Sequence, residues 1–160
     1  MAHFAEFKAM TDHTGFTSDS HQIVQRVVVV GNDIPANGST LGENDMHVDG
    51  ENWCTNFFKG GIWKQTSYNN NFRTRFACVG GYYKSGNDKF TEVQPYASWT
   101  LDSNDEWQAP IAYPTTTTYG DNVEYLIKWD EENQRWLGYD QQPNEFVYDP
   151  SSDSWSATGN

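Results

Sequence analysis

The sequence predicts a mainly β fold, antiparallel hairpins around an aromatic core with one short helix. Three observations carry that prediction. The 160 residues include 7 Trp, 9 Tyr and 9 Phe against 19 Leu, Ile and Val together, ten of them Val. Aromatic and β-branched side chains suit a pleated, half-buried surface. Aromatic pairs recur seven positions apart across polar turns, at Tyr83 and Phe90, Trp129 and Trp136, and Tyr148 and Trp155, with Trp99 and Trp107 as a variant of wider spacing. Residues 22–30 end in four consecutive valines and form the strongest strand signal.

Taken in order, residues 3–7 read as a short strand, and residues 11–20, rich in Thr, Asp, Ser and Gly, as a loop or long turn leading to the valine strand. Four valines in a row imply burial on both faces and a central position. Residues 34–50 are rich in turn formers, including Pro35, Asn37-Gly38, Gly42 and Asp49-Gly50. Glu51 to Phe58 then places Trp53, Cys54, Phe57 and Phe58 at helical spacing, so these four are expected to face the sheet. Lys59 and Gly60-Gly61 fit the helix C-terminus. Each later aromatic pair brackets a turn whose Asp, Ser, Asn or Gly residues bond the local backbone, and the two rings become cross-strand partners. Ala109-Pro110, Tyr113-Pro114 and four threonines at 115–118 suggest an extended connector. The expected organisation is a main β domain over 1–110 with its helix near 51–58, a Pro/Thr connector over 111–120, and a C-terminal hairpin module over 121–160. A module of forty residues is too small to hold a core by itself.

Composition excludes several function classes. The net charge is −12, which disfavours nucleic acid as a partner. No apolar run approaches the roughly 18 residues of a membrane span. The first residues lack the basic-then-apolar pattern of a signal peptide, so synthesis and maturation in a cytoplasm are expected, with Cys54 and Cys78 as reduced core thiols. Charge is unevenly placed: residues 59–89 carry +5, whereas 1–58, 90–120 and 121–160 carry −6, −4 and −7. This basic block is either a docking surface for an acidic partner or the internal counterweight of an acidic fold.

No motif for catalysis is present. There is no P-loop, no nucleophile elbow and no dinucleotide fingerprint. The pair His47 and Asp49 is a chance-level metal pattern, so no metal or cofactor is expected. Acidic pairs such as Asp105 with Glu106, and Asp130 with Glu131 and Glu132, fall in expected hairpin turns, where water keeps carboxyl groups ordinary. Rings beside acids and amides also suit sugar recognition, and Trp107, Trp136 and Trp155, at hairpin ends, are the candidate glycan-binding residues, but a small aromatic-rich sheet must bury most of its rings to fold, which makes core packing the first expectation for them.

The segment Trp63-Lys64-Gln65-Thr66-Ser67-Tyr68-Asn69-Asn70-Asn71-Phe72-Arg73, with Met1-Ala2-His3-Phe4-Ala5 before it and Pro95-Tyr96-Ala97-Ser98-Trp99-Thr100-Leu101-Asp102 after it, resembles a family of small virion-associated proteins of marine tailed bacteriophages, cyanophages especially. The resemblance extends to Trp107-Gln108-Ala109-Pro110 and to a closing Trp–Asp hairpin such as 129–136. Residues 11–20, 34–50 and the second closing hairpin at 146–155 depart from the family pattern. The resemblance implies a non-enzymatic virion structural protein made in a bacterial cytoplasm, decorating the capsid surface, with the major capsid protein as partner and self-association as a further option. A tail- or fibre-associated module binding host glycans is the alternative. Within the motif, residues 72–76 alternate apolar and basic and read as a strand with Arg73 and Arg75 on a wet face. With Lys64 and Tyr68 they form the expected partner-binding set, arginine supplying bidentate contacts to carboxylates. The triple Asn 69–71 is expected to take left-handed backbone geometry and to cap free backbone groups.

Overall fold

The computed structural model describes residues 1–9, 21–36, 38–41, 47–142 and 144–158. The expected loop at 11–20 and Asn37 lie outside the described residues. The elements in chain order are β1 (Ala2–Ala9), β2 (His21–Val30), β3 (Pro35–Ala36), β4 (Ser39–Thr40), α1 (His47–Phe57), β5 (Ile62–Thr66), β6 (Gly81–Lys84), β7 (Lys89–Val93), β8 (Thr100–Leu101), β9 (Trp107–Gln108), β10 (Thr118–Tyr119), β11 (Val123–Glu124), β12 (Leu126–Asp130), β13 (Arg135–Tyr139), β14 (Glu145–Asp149) and β15 (Ser154–Ala157). The fold is mainly β, and among the described residues every strand pairing is antiparallel. The chain forms two compact units, Met1–Gln94 and Pro95–Asn160.

The first unit is a five-stranded sheet in the order β5-β1-β2-β6-β7, with β2 in the expected middle position. The valines of β2 do not all bury. Val28 and Val30 pack with Ala2, Phe4, Leu41, Cys54 and Trp63, Val27 packs with Ala5, Phe7, Val24, Ala77, Tyr83 and Phe90, and Val29 stays exposed. Period-two alternation therefore holds even within a run of one residue type, and each face has its own core. The register shifts between Glu6 and Phe7, where Gln25 has no partner across the ladder. Such a bulge increases local twist.

Helix α1 begins four residues before the expected start. Asp49-Gly50 reads as a turn, yet Gly50 sits within the helix because a Cβ there would land on the Phe4 ring and within 3.3 Å of Leu41. Glycine lets α1 settle close to β1. The C-terminus forms at the expected place: Lys59 turns left-handed (φ 58°) and the Gly60 amide donates to the Thr55 carbonyl at 2.8 Å. Cys54 is fully buried, but Phe57 is exposed rather than facing the sheet. It lies off the Cys54–Phe58 stripe and stacks on Trp53, centroids 4.7 Å apart.

In the second unit β12, β13, β14 and β15 form an up-and-down sheet. The aromatic pairs meet in register as expected, Trp129 opposite Trp136 and Tyr148 opposite Trp155, as Tyr83 faces Phe90 in the first unit. One local device recurs in these hairpins: a residue with positive φ lies two positions before the second aromatic, at Asp88, Gln134 and Asp153, and at Asp105 before Trp107. The variant pair closes differently, because Leu101 rather than Trp99 faces Trp107. Trp99 instead joins the Trp129, Trp136 and Tyr148 core, together with Ala109, Ile111, Ile127 and Trp155.

That packing corrects the expected domain boundary. Residues 95–110 belong with the C-terminal hairpins, and the Pro/Thr segment is no connector between modules. The indole of Trp136 donates to the Ile111 carbonyl at 2.9 Å and that of Trp155 to the Thr116 carbonyl at 2.7 Å. The segment is thus part of the wall that gives the hairpins a core. At Gly138 a Cβ would stand 2.8 Å from the Trp155 ring.

Gly50→Ala and Gly138→Ala are each expected to cost about 1–3 kcal/mol by forcing a packed ring aside. Urea unfolding of each variant checks this, and a change under about 0.5 kcal/mol, the range of ordinary surface substitutions, would show that the ring has room to move.

Candidate functional site

The motif that carries the expected partner-binding residues follows β5. Its triple Asn behaves as the residue types predict: Asn70 is left-handed (φ 56°), and its Oδ1 accepts the Phe76 amide at 2.7 Å. The Asn71 amide donates to Ser67 Oγ at 2.9 Å. The expected strand over 72–76 is absent. Arg73 and Thr74 both take positive φ (54° and 70°), and the Arg75 amide turns back onto the Arg73 carbonyl at 2.8 Å.

Arg73 points inward, and its side chain is only 8% exposed. Its Nη1 donates to Glu51 Oε1 and to the Gln65 carbonyl, both at 2.8 Å, and its Nε donates to Asp88 Oδ1 at 2.7 Å. Glu51 Oε1 also accepts the Gln65 amide at 2.9 Å, and Oε2 pairs with Lys64 at 3.1 Å. The Tyr83 hydroxyl donates to Asp88 Oδ1. Burial works against the Arg73 charge, but hydrogen bonds and attraction from Glu51 and Asp88 raise its pKa above the ordinary value. Burial would also raise the Asp88 carboxyl, and hydrogen bonds from Tyr83 and Arg73 reverse that and lower it. Both groups stay ionised at neutral pH.

Arg73 is therefore no docking group, and this corrects the expected set. Its guanidinium is already shared among two carboxylates and a carbonyl, which is the internal counterweight reading of the basic block. Arg75 is engaged with Glu92 at 2.7 Å, and Lys64 is half-buried against Glu51. Of the four expected residues only Tyr68 is presented to solvent, 71% exposed. It stacks on His3 (centroids 5.7 Å, interplanar 22°) and meets Phe76 edge-on at 5.6 Å, while His3 meets Phe76 edge-on at 5.4 Å. His3 faces the exposed Val29 across the β1–β2 ladder. Burial, with the nearby N-terminal charge, lowers the His3 pKa, so the imidazole is neutral at pH 7. These four side chains form an aromatic and apolar surface with no net charge.

The expected glycan set does not assemble. Trp136 is buried, Trp107 and Trp155 are partly buried, and none of the seven tryptophans is exposed. The turn carboxylates are not idle in water either. Glu131 accepts the Ser98 amide (2.8 Å) and hydroxyl (2.6 Å) and the Trp129 indole (2.7 Å). Asp153 accepts the Tyr148 hydroxyl at 2.6 Å and the hydroxyls of Thr115 and Thr116. Hydrogen bonds led by Ser98 lower the Glu131 pKa, and those led by Thr115 lower that of Asp153. Asp105 is buried. Among the described residues no three of His, Cys, Asp and Glu converge as metal ligands, and the His47 side chain lies outside them. Cys54 and Cys78 are free, and burial pushes the Cys54 thiol up to about 12. No helix among the described residues is long and apolar enough to cross a membrane.

Neither Glu51 nor His3 is marked by the sequence. Glu51 meets Gln65 and Arg73, 14 and 22 residues away, and only the fold brings them together. Searches against family models, curated proteins and solved structures give no match to this chain.

Arg73→Gln is expected to lower stability by about 1–3 kcal/mol, since it leaves the largely buried Glu51 with Lys64 as its remaining cationic partner and the Gln65 carbonyl without its charged donor, while Asp88 retains water. Arg75→Gln is expected to cost about 1 kcal/mol or less, its partner Glu92 being exposed. Paired urea titrations compare the two, and equal losses would remove the central role given to Arg73.

Proposed function

We propose that this protein is a non-enzymatic structural component of a tailed-phage virion, made in the bacterial cytoplasm and docking on the assembled capsid through the surface around Tyr68. The setting rests on the resemblance carried by the 63–73 motif, and Tyr68 stands at the centre of that motif. The observation that carries the docking surface is the ring cluster itself. Although 71% exposed, Tyr68 has His3 stacked on its ring and Phe76 edge-on beside it, contacts that favour one orientation. A pre-oriented aromatic surrounded by apolar neighbours loses little freedom on binding and makes a good central anchor.

Local hydrogen bonds lower the pKa values of Asp88, Asp130, Glu131, Asp140, Asp149 and Asp153, which act as acceptors within their turns. Repetition on a symmetric shell then turns one modest contact per copy into stable decoration.

The test is to mix the purified protein with empty capsids and, separately, with tails of the same virus, and to image the added density. Regular density on capsid capsomers is expected, with Tyr68→Ala lowering the affinity about tenfold or more while the unfolding midpoint holds. Density confined to tails would move the protein to the tail, and binding indifferent to Tyr68→Ala would remove this surface.

A further inference from the structure

A second surface lies apart from the Tyr68 cluster. Between α1 and β3 is a cavity of about 460 Å³, lined by Pro35, Ala36, Asp49, Asn52, Trp53 and Asn56. Four of these residues come from α1 at positions i, i+3, i+4 and i+7, the spacing that places side chains on one helix face. The stripe carries a carboxylate, two exposed carboxamides and one half-buried indole.

Trp53 is half-buried against the Phe4, Leu41 and Cys54 core and stacked on Phe57, so its indole is a fixed wall. Pro35 and Ala36 supply a second wall from another element. Among the described residues, none hydrogen-bonds the side chains of Asp49, Asn52 or Asn56. These groups differ from turn acids such as Glu131 and Asp153, which accept from neighbouring amides and hydroxyls. Polar groups lining one cavity beside an indole are the usual furnishing of a small-molecule pocket, and the volume falls within the usual range of about 300–1,000 Å³.

We infer that this cavity binds a neutral saccharide of one or two sugar units, with Trp53 against the apolar C–H face of a pyranose and Asp49, Asn52 and Asn56 bonding its hydroxyls. Each carboxamide offers a donor and an acceptor, and the carboxylate offers two acceptors, which matches vicinal hydroxyls that both give and take. A cation would suit the indole and carboxylate but would leave the amide N–H groups without acceptors. An anionic sugar meets Asp49 and a chain of net charge −12. The site is independent of capsid docking and relocates sugar recognition from the hairpin tryptophans to the helix.

The full chain, ¹⁵N-labelled, is titrated with glucose, galactose, mannose, N-acetylglucosamine, lactose and cellobiose while the Trp53 indole N–H is followed, its resonance assigned with Trp53→Phe. At least one sugar is expected to shift that signal saturably. Asn52→Ala and Asn56→Ala, both at exposed positions, are each expected to weaken binding about tenfold with an unchanged unfolding midpoint. Capsid docking by the same variants is expected to be unaffected, which separates this site from the Tyr68 surface. Silence of the Trp53 signal across the panel, indifference to both Asn substitutions, or tighter binding of tetramethylammonium or glucuronate would each overturn the inference.

Discussion

A five-stranded sheet has two open edges, and in the first unit both are tied to one residue. The side chain of Arg73 bonds the Gln65 carbonyl on β5, and its own carbonyl accepts the Phe90 amide of β7 at 3.1 Å. These are the outermost strands of the order β5-β1-β2-β6-β7, so the sheet curls far enough for a single arginine to touch both sides. The curl encloses Ala5, Phe7, Val24, Tyr83 and Phe90, and Ala77 from the closing segment completes that core. Glu51 finishes the β5 edge by taking the Gln65 amide. The backbone groups of Gln65 that would otherwise await another strand are satisfied by side chains, one of the ways in which folds blunt an edge. The left-handed Thr74 shows what the arrangement costs: a β-branched residue disfavours that geometry, and neighbouring bonds at Arg73 hold it there.

The second unit solves the same problem of a small core by other means. Its hairpins present Trp129, Trp136, Tyr148 and Trp155 on one face, and residues 95–119 lie against that face. Indole N–H groups meet backbone carbonyls of the extended segment, so burial of the rings leaves no donor stranded at Trp136 or Trp155. Acids in two turns, Glu131 and Asp153, fasten Ser98 and the Thr115–Thr116 pair. Much of the negative charge that sets this chain's low pI is thereby structural. It shapes turns and secures the cover rather than projecting a uniform field toward partners.

Local chemistry was legible in the sequence wherever one residue type dictates one geometry. The paired aromatics, the helix stop at Lys59-Gly60, the left-handed Asn70 and the central position of β2 all follow from short-range rules. Residues whose role depends on distant partners were not. Arg73 and Arg75 alternate with Phe72, Thr74 and Phe76 as a half-wet strand does, but Glu51 and Asp88 capture Arg73, and two successive positive φ angles break the strand. Gly50 looked like a turn because the sequence does not show the Phe4 ring above it. The tryptophans at hairpin ends suit either a core or a sugar platform on local grounds, and burial of Trp136 against the Pro/Thr segment decides for the core. Tyr68 remained where the motif placed it, while its support from His3 came from the far end of the unit.

The two units differ in how far the chain must travel to close each contact. Every strand of the four-stranded sheet pairs with its immediate predecessor, so the ladder grows through short loops. Closing the first sheet requires β1 to find β5 some sixty positions later, and Arg73 to reach both edges. Loop-closure entropy must be met before non-local pairing is rewarded, so sheets of distant strands form more slowly than chains of hairpins. The hairpins of the second unit, although synthesised after the first unit, are expected to assemble faster. The N-terminal sheet waits for β5, the Arg73 turn and β7 to leave the ribosome, and until then its strands stand with their edges open.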